Sequence, residues 1–200
     1  QLECFEYGLD HTKFLFADEQ GLGKTKQSID LAVARKDQFN HCLIICCVNG
    51  LKWNWQDEVK VHSNEDARIL GEYTNSKGRK VIGSVKQRLD DLIKGRDEFF
   101  LITNIETLRD KEIQKQLNKM CSDGTIGMVI IDEIHKCKNS TSIQGKSIHK
   151  LNSHYKIALT GTPLMNSPID LYNILKWLEV EHHTLTQFKE FYCLMGGFGG

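Results

Sequence analysis

Ala17-Asp18-Glu19-Gln20-Gly21-Leu22-Gly23-Lys24-Thr25 lies between a short apolar run at 14–17 and a segment of helical period at 24–35. A turn that joins a strand to a helix in this way aims backbone N–H groups at an anion, and glycines at 21 and 23 let a phosphate approach the main chain closely. In that setting Lys24 reaches the β- and γ-phosphates of a nucleotide, and the Thr25 hydroxyl supplies a ligand to Mg²⁺. The strict phosphate-loop pattern asks for glycine where Asp18 stands. Taken alone, Gly-x-Gly-Lys-Thr therefore also reads as a glycine turn capping a helix.

Outward from this stretch, continuous apolar runs recur at 42–47, 99–103, 128–131 and 157–160, with a weaker one near Ile69. Runs of this length without apolar/polar alternation suit strands covered on both faces, and the segments at 85–93 and 168–177 suit crossover helices. The expected fold is α/β, a mainly parallel central sheet with helices on both faces, in one domain over residues 1–200. The run Met128-Val129-Ile130-Ile131 ends in Asp132-Glu133-Ile134-His135. Two carboxylates then stand at the C-terminal edge of a parallel sheet, where open α/β sheets bind ligands. There Asp132 can hold the Mg²⁺ shell and Glu133 can orient and polarise an attacking water. Acids after a strand also commonly start helices as caps. The pairing with Lys24-Thr25 favours catalysis.

Composition narrows the classes. Twenty-six basic residues balance 26 acidic ones, so any nucleic-acid surface is a local strip rather than a diffuse basic coat. The seven cysteines form no CxxC pair, which argues against a disulfide framework or zinc ribbon. Those in the run 42–47 read as small hydrophobes. His182-His183 near Cys193 is a weak metal hint. The basic residues Lys77, Arg79, Lys80, Lys86 and Arg88 read first as a solvated helix face and second as phosphate contacts. No apolar run approaches the eighteen or so residues of a membrane span, and Gln1-Leu2-Glu3-Cys4 lacks the features of a secretory start. The expectation is an intracellular protein without membrane contact, cytoplasmic if bacterial or phage and nuclear if eukaryotic.

With these residues in hand, the chain resembles the Swi/Snf-type DNA translocases of helicase superfamily two. Residues 18–25 resemble that family's D-E-M-G-L-G-K-T, with Gln20 in place of methionine. Asp132-Glu133-Ile134-His135 resembles its D-E-A-H box and is followed by Lys138-Asn139. Leu159-Thr160-Gly161-Thr162-Pro163-Leu164-Met165-Asn166-Ser167 resembles L-T-G-T-P-L-Q-N-N. Weaker likenesses are Leu51-Lys52-Trp53-Asn54-Trp55, Thr103-Asn104-Ile105-Glu106-Thr107-Leu108, and Gln1-Leu2-Glu3 as the tail of an adenine-reading segment.

The resemblance implies the first RecA-like lobe of a two-lobed, ATP- and Mg²⁺-dependent motor that moves along double-stranded DNA. It implies nucleotide contacts from Gln1, Asp18, Glu19, Gly21, Leu22, Gly23, Lys24 and Thr25, and catalysis by Lys24, Asp132 and Glu133. It further implies Mg²⁺ at Thr25 and Asp132, coupling through His135, Thr160, Gly161 and Thr162, and DNA contact at Asn54, Thr103 and Asn104. Nothing after Leu194 resembles a second lobe, which in the family brings arginine fingers. This chain alone is therefore expected to be a monomer that hydrolyses ATP slowly. Other readings stay open: a nucleotide-gated module that binds ATP without turnover, an RNA-helicase lobe of the same superfamily and, least favoured, a small-molecule kinase.

Overall fold

The structure is a computed structural model that describes residues 2–95, 97–163 and 167–193. Gln1, Leu164-Met165-Asn166 and the glycine-rich end lie outside the described residues. The strands are β1 Lys13–Phe16, β2 His41–Cys46, β3 Ala67–Ile69, β4 Glu72–Thr74, β5 Lys80–Ile82, β6 Phe100–Asn104, β7 Ile126–Asp132 and β8 Tyr155–Leu159. The helices are α1 Leu2–Asp10, α2 Lys24–Ala34, α3 Leu51–His62, α4 Val85–Ile93, α5 Lys111–Ser122, α6 Ile143–Ile148, α7 Ile169–Trp177 and α8 Leu185–Tyr192. Six strands form one parallel sheet in the order β1-β8-β7-β2-β6-β3.

The continuous apolar runs become the sheet centre because both of its faces are covered. In β2, Leu43 and Ile45 join Val129, Ile131, Ile113, Leu117, Ile148 and Ile174 beneath α5, α6 and α7. Cys42, Ile44 and Cys46 point the other way, to Ile29, Leu31, Trp55 and Val59 of α2 and α3. This two-sided burial explains why alternation is missing from these strands.

The basic stretch corrects one expectation. It is not a single helix face. Lys77 and Arg79 lie exposed at the tip of the antiparallel β4–β5 hairpin, whereas Arg88 belongs to α4 and donates to the Thr107 hydroxyl at 3.0 Å. Asn75 makes the turn: its side-chain oxygen accepts from the N–H groups of Lys77 and Arg79, and Gly78 takes φ 71°. Gly83 then breaks the run, and Ser84 with Gln87 forms a capping box that starts α4.

Helix α7 ends in a Schellman turn. The N–H of Glu179 donates to Lys176 and that of Val180 to Leu175, with Glu179 in the left-handed region at φ 59°. From this turn the Glu179 carboxylate pairs with Lys13 of β1 and Lys156 of β8. Those two lysines hold its pKa down at about 2. Lys156 is buried and also donates to the Trp177 carbonyl at 3.1 Å. A carboxylate whose folded pKa is depressed stabilises the fold fully above its unfolded value and loses that effect as pH falls through the folded value. Glu179→Gln should therefore lower the melting temperature by about 2–4 °C near pH 7, a cost of roughly 1 kcal/mol after allowance for the exposed carboxylate. The difference from wild type should shrink as pH falls from about 4.5 towards 2. Calorimetry at both ends of that window checks this, and a pH-independent difference would contradict the ion-pair account.

Candidate nucleotide site

The parallel register brings five strand ends to one edge. Phe16 pairs with Leu159, Asp132 with Leu159, Cys46 with Asp132, and Cys46 with Asn104. The segments that follow β1, β2, β6, β7 and β8 open at this edge, and they or the strand ends themselves hold the described candidates for nucleotide, Mg²⁺, coupling and polymer contact.

After β1 the chain turns through Gly21 (φ 81°) and Gly23 (φ 80°) into α2. A Cβ on Gly21 would meet nothing within 4 Å, so the backbone angle and not crowding selects glycine there. Gly23 is the N-cap of α2 and makes no side-chain cap hydrogen bond. The first-turn N–H groups of an eleven-residue helix thus lack the side-chain acceptor that usually satisfies one of them. Lys24 Nζ bends back over the loop and donates to the carbonyls of Asp18 at 2.6 Å and Glu19 at 2.8 Å. Within α2, Gln27 Nε2 donates to the Leu22 carbonyl while its buried Oε1 has no partner among the described residues. The arrangement is a half-open anion cradle with one ammonium folded across it.

After β7 come the two carboxylates. Asp132 Oδ2 accepts from Trp55 Nε1 at 2.8 Å. Burial raises the Asp132 pKa above the ordinary carboxylate value, the neighbouring Glu133 charge adds to this, and the Trp55 hydrogen bond and nearby Lys24 oppose it. Glu133 sits in the left-handed region at φ 53° and ψ 44°, an uncommon state for a non-glycine residue. Its Oε2 is 3.1 Å from His135 Nδ1. The same ring nitrogen is 2.9 Å from Thr160 Oγ1. A carboxylate can only accept, so the contact with Glu133 puts the proton on Nδ1. Burial lowers the His135 pKa, which keeps the ring neutral near pH 7.

Thr160 is buried at the end of β8; its N–H donates to Phe16 and its hydroxyl oxygen accepts from the Thr162 N–H at 3.1 Å. A Cβ on Gly161 would come within 3.0 Å of Gln20 Cγ, so this turn rests directly on the loop after β1. Glu133, His135, Thr160 and Thr162 are therefore linked by contacts, and Gly161 adjoins the cradle.

The three residues expected along a polymer strip are not alike. Asn54 is exposed on α3. Thr103 and Asn104 are buried, at 2% and 7% exposure. Asn104 Nδ2 donates to Glu106 at 2.7 Å and its Oδ1 accepts from Thr107. The turn after β6 covers this strand end and engages the Asn104 amide. Lys52, two residues before Asn54 in α3, is buried and donates to Asn49.

Trp53 and Trp55 stand two apart in the sequence, so on a helix they point in different directions and at least one of them is expected in the core; that one is Trp55. It is packed, at 1% exposure, but its indole N–H also holds Asp132. The available signal was that a buried indole needs an acceptor. Among the described residues no cluster of three His, Cys, Asp or Glu could hold a metal, and His183 pairs instead with Glu181. Mg²⁺ needs no such cluster, because it commonly takes one or two carboxylates, substrate phosphates and water. The donors at this edge fit that pattern: the hydroxyl of Thr25, the carboxylate of Asp132 and an open anion cradle. No helix among the described residues is long and apolar enough to cross a membrane.

Residues 6–194 match the SNF2-related domain. The chain is 29% identical over 181 residues to the DNA repair protein RAD5 of Yarrowia lipolytica, an alignment that covers 82% of this chain and 16% of that protein. It superposes on the Sulfolobus solfataricus SWI2/SNF2 ATPase core in complex with double-stranded DNA with a TM-score of 0.71 and 22% identity, over 96% of this chain and 38% of that one. On the Sulfolobus solfataricus SWI2/SNF2 ATPase core domain the TM-score is 0.64 at 26% identity, over 93% and 35% of the two chains.

Proposed function

This chain belongs to the SNF2-related domain family, and from that premise we propose that it is the ATP-binding first lobe of an ATP-driven motor on double-stranded DNA. The fold supports this, since it is shared with SWI2/SNF2 ATPase cores. The observation that carries it is the uncapped start of α2, with Lys24 folded over it and Asp132 and Glu133 at the same sheet edge.

The N–H groups of residues 21–25 and the Lys24 ammonium would hold the β- and γ-phosphates, with Lys24 releasing the Asp18 and Glu19 carbonyls to do so. Thr25 and Asp132 would hold Mg²⁺, which neutralises phosphate charge. Glu133 would orient the attacking water. His135, touching both Glu133 and Thr160, would carry the state of the site to the 160–162 turn. Adenine contact by Gln1 belongs to the same proposal. Asn54 is the polymer contact we retain, through phosphates and without base reading. A second lobe would supply the arginine that speeds transfer. We place the protein inside the cell, in the nucleus if its source is a eukaryote and in the cytoplasm if it is a bacterium or phage, as a monomer.

Lys24→Ala removes the ammonium of the cradle. Loss of a charged hydrogen-bonding partner costs about 1.5–3 kcal/mol, so affinity for ATP should fall about 10- to 150-fold. Titration of a labelled ATP analogue into both proteins checks this, and equal affinities would overturn the assignment.

A further inference from the structure

We propose that Trp55 is a positioning residue for the Mg²⁺ carboxylate, and that through it α3 ties the polymer-facing side of the lobe to the nucleotide side. The inference rests on the reading of Asp132 as a metal-shell residue. Trp55 Nε1 donates to Asp132 Oδ2 at 2.8 Å from a ring that is 1% exposed and packed between sheet and helix. A carboxylate at a strand end can rotate about its last bond. One oxygen fixed by a buried donor leaves the other aimed at a defined point, and outer partners of this kind commonly set metal affinity by 10- to 100-fold.

Neighbouring residues give the link its direction. Asn54 precedes Trp55 and is exposed, so one turn of α3 bears an outward amide and an inward indole. Any shift of α3 on contact with a polymer moves the donor that holds Asp132. Trp177 supplies a built-in comparison, because it is equally buried and its indole nitrogen has no hydrogen-bond partner among the described residues.

The test uses Trp55→Phe, which keeps an aromatic ring and removes the N–H, beside Trp177→Phe. Affinity for a non-hydrolysable fluorescent ATP analogue is measured with Mg²⁺ and with a chelator. The expected result for Trp55→Phe is a loss of about tenfold in the metal-dependent gain, at the lower end of that range, with metal-free affinity unchanged. Trp177→Phe should change neither. Electron paramagnetic resonance of Mn²⁺ in the presence of the analogue should show the same weakening directly. An unaltered metal-dependent gain in Trp55→Phe, or an equal loss with and without metal, overturns the inference alone. A wild-type protein with no metal-dependent gain overturns the nucleotide-site reading together with it. Should Trp55→Phe fail to fold, indole hydrogen exchange decides: Asp132→Ala should speed exchange at Trp55 and leave Trp177 as it was, and no change at Trp55 overturns the inference.

Discussion

Glu133→Gln is expected to cut ATP turnover by about 10²- to 10⁴-fold and to leave ATP binding nearly unchanged, the usual span for loss of a positioned acid–base group. Glutamine keeps the shape of the side chain and can still accept from His135 Nδ1, so the contact at 3.1 Å can persist. What disappears is the negative charge beside the proposed place of water attack. The left-handed backbone at Glu133 is retained as well, because glutamine carries the same Cβ constraint as glutamate. Single-turnover hydrolysis in a protein that contains both lobes, with DNA present, measures the chemical step, and filter binding measures ATP. Normal turnover would assign the water to another group. Absence of DNA-stimulated turnover in the unaltered protein would favour the nucleotide-gated module.

Gly145→Ala should destabilise the lobe by about 3 kcal/mol, the upper end for overpacking, which is roughly 6–12 °C of melting temperature at this size. A Cβ there would stand 2.0 Å from the Asn139 carbonyl oxygen and 2.8 Å from its carbon. Those are backbone atoms, and they are pinned. The Asn139 carbonyl accepts from the N–H and hydroxyl of Ser142, and its side chain accepts from Thr141. Gly145 itself donates to Ser142 Oγ, and its carbonyl accepts from Asn173. Gly50→Ala is the matched control, since nothing lies within 4 Å of the added carbon and its φ is −66°. Urea denaturation of the pair measures the difference, and similar midpoints would mean that the segment after Cys137 yields more easily than its hydrogen bonds imply.

The parts of the fold legible in the sequence share one physical cause. β2, β6 and β7 are buried on both faces, so their apolar runs need no partner to be recognised. β3 was faint because it is a short edge strand in which Arg68 must be apolar enough to pack yet charged enough to pair with Asp91. The β4–β5 hairpin was hidden by its charge, and strand order leaves no local trace. At the proposed site, the glycine turn and the acidic pair were legible because a phosphate-binding role would restrict residue types there. The burial of Thr103 and Asn104 was not legible, because exposure depends on what covers a strand end. Trp55 shows the converse, for an apolar pattern says that a ring is inside and not what its one polar atom meets.

β1 is an edge strand whose hydrogen-bonded neighbour in the sheet is β8, with Lys13 opposite Lys156. During synthesis the phosphate-loop strand therefore leaves the ribosome long before its partner, by a time on the order of ten seconds at ordinary elongation rates. Until β8 arrives, β1 has no ladder to join, and the closing of so long a chain segment is the slow, non-local step of folding. Nucleotide binding by a nascent chain would consequently report completion of the sheet rather than the making of the loop.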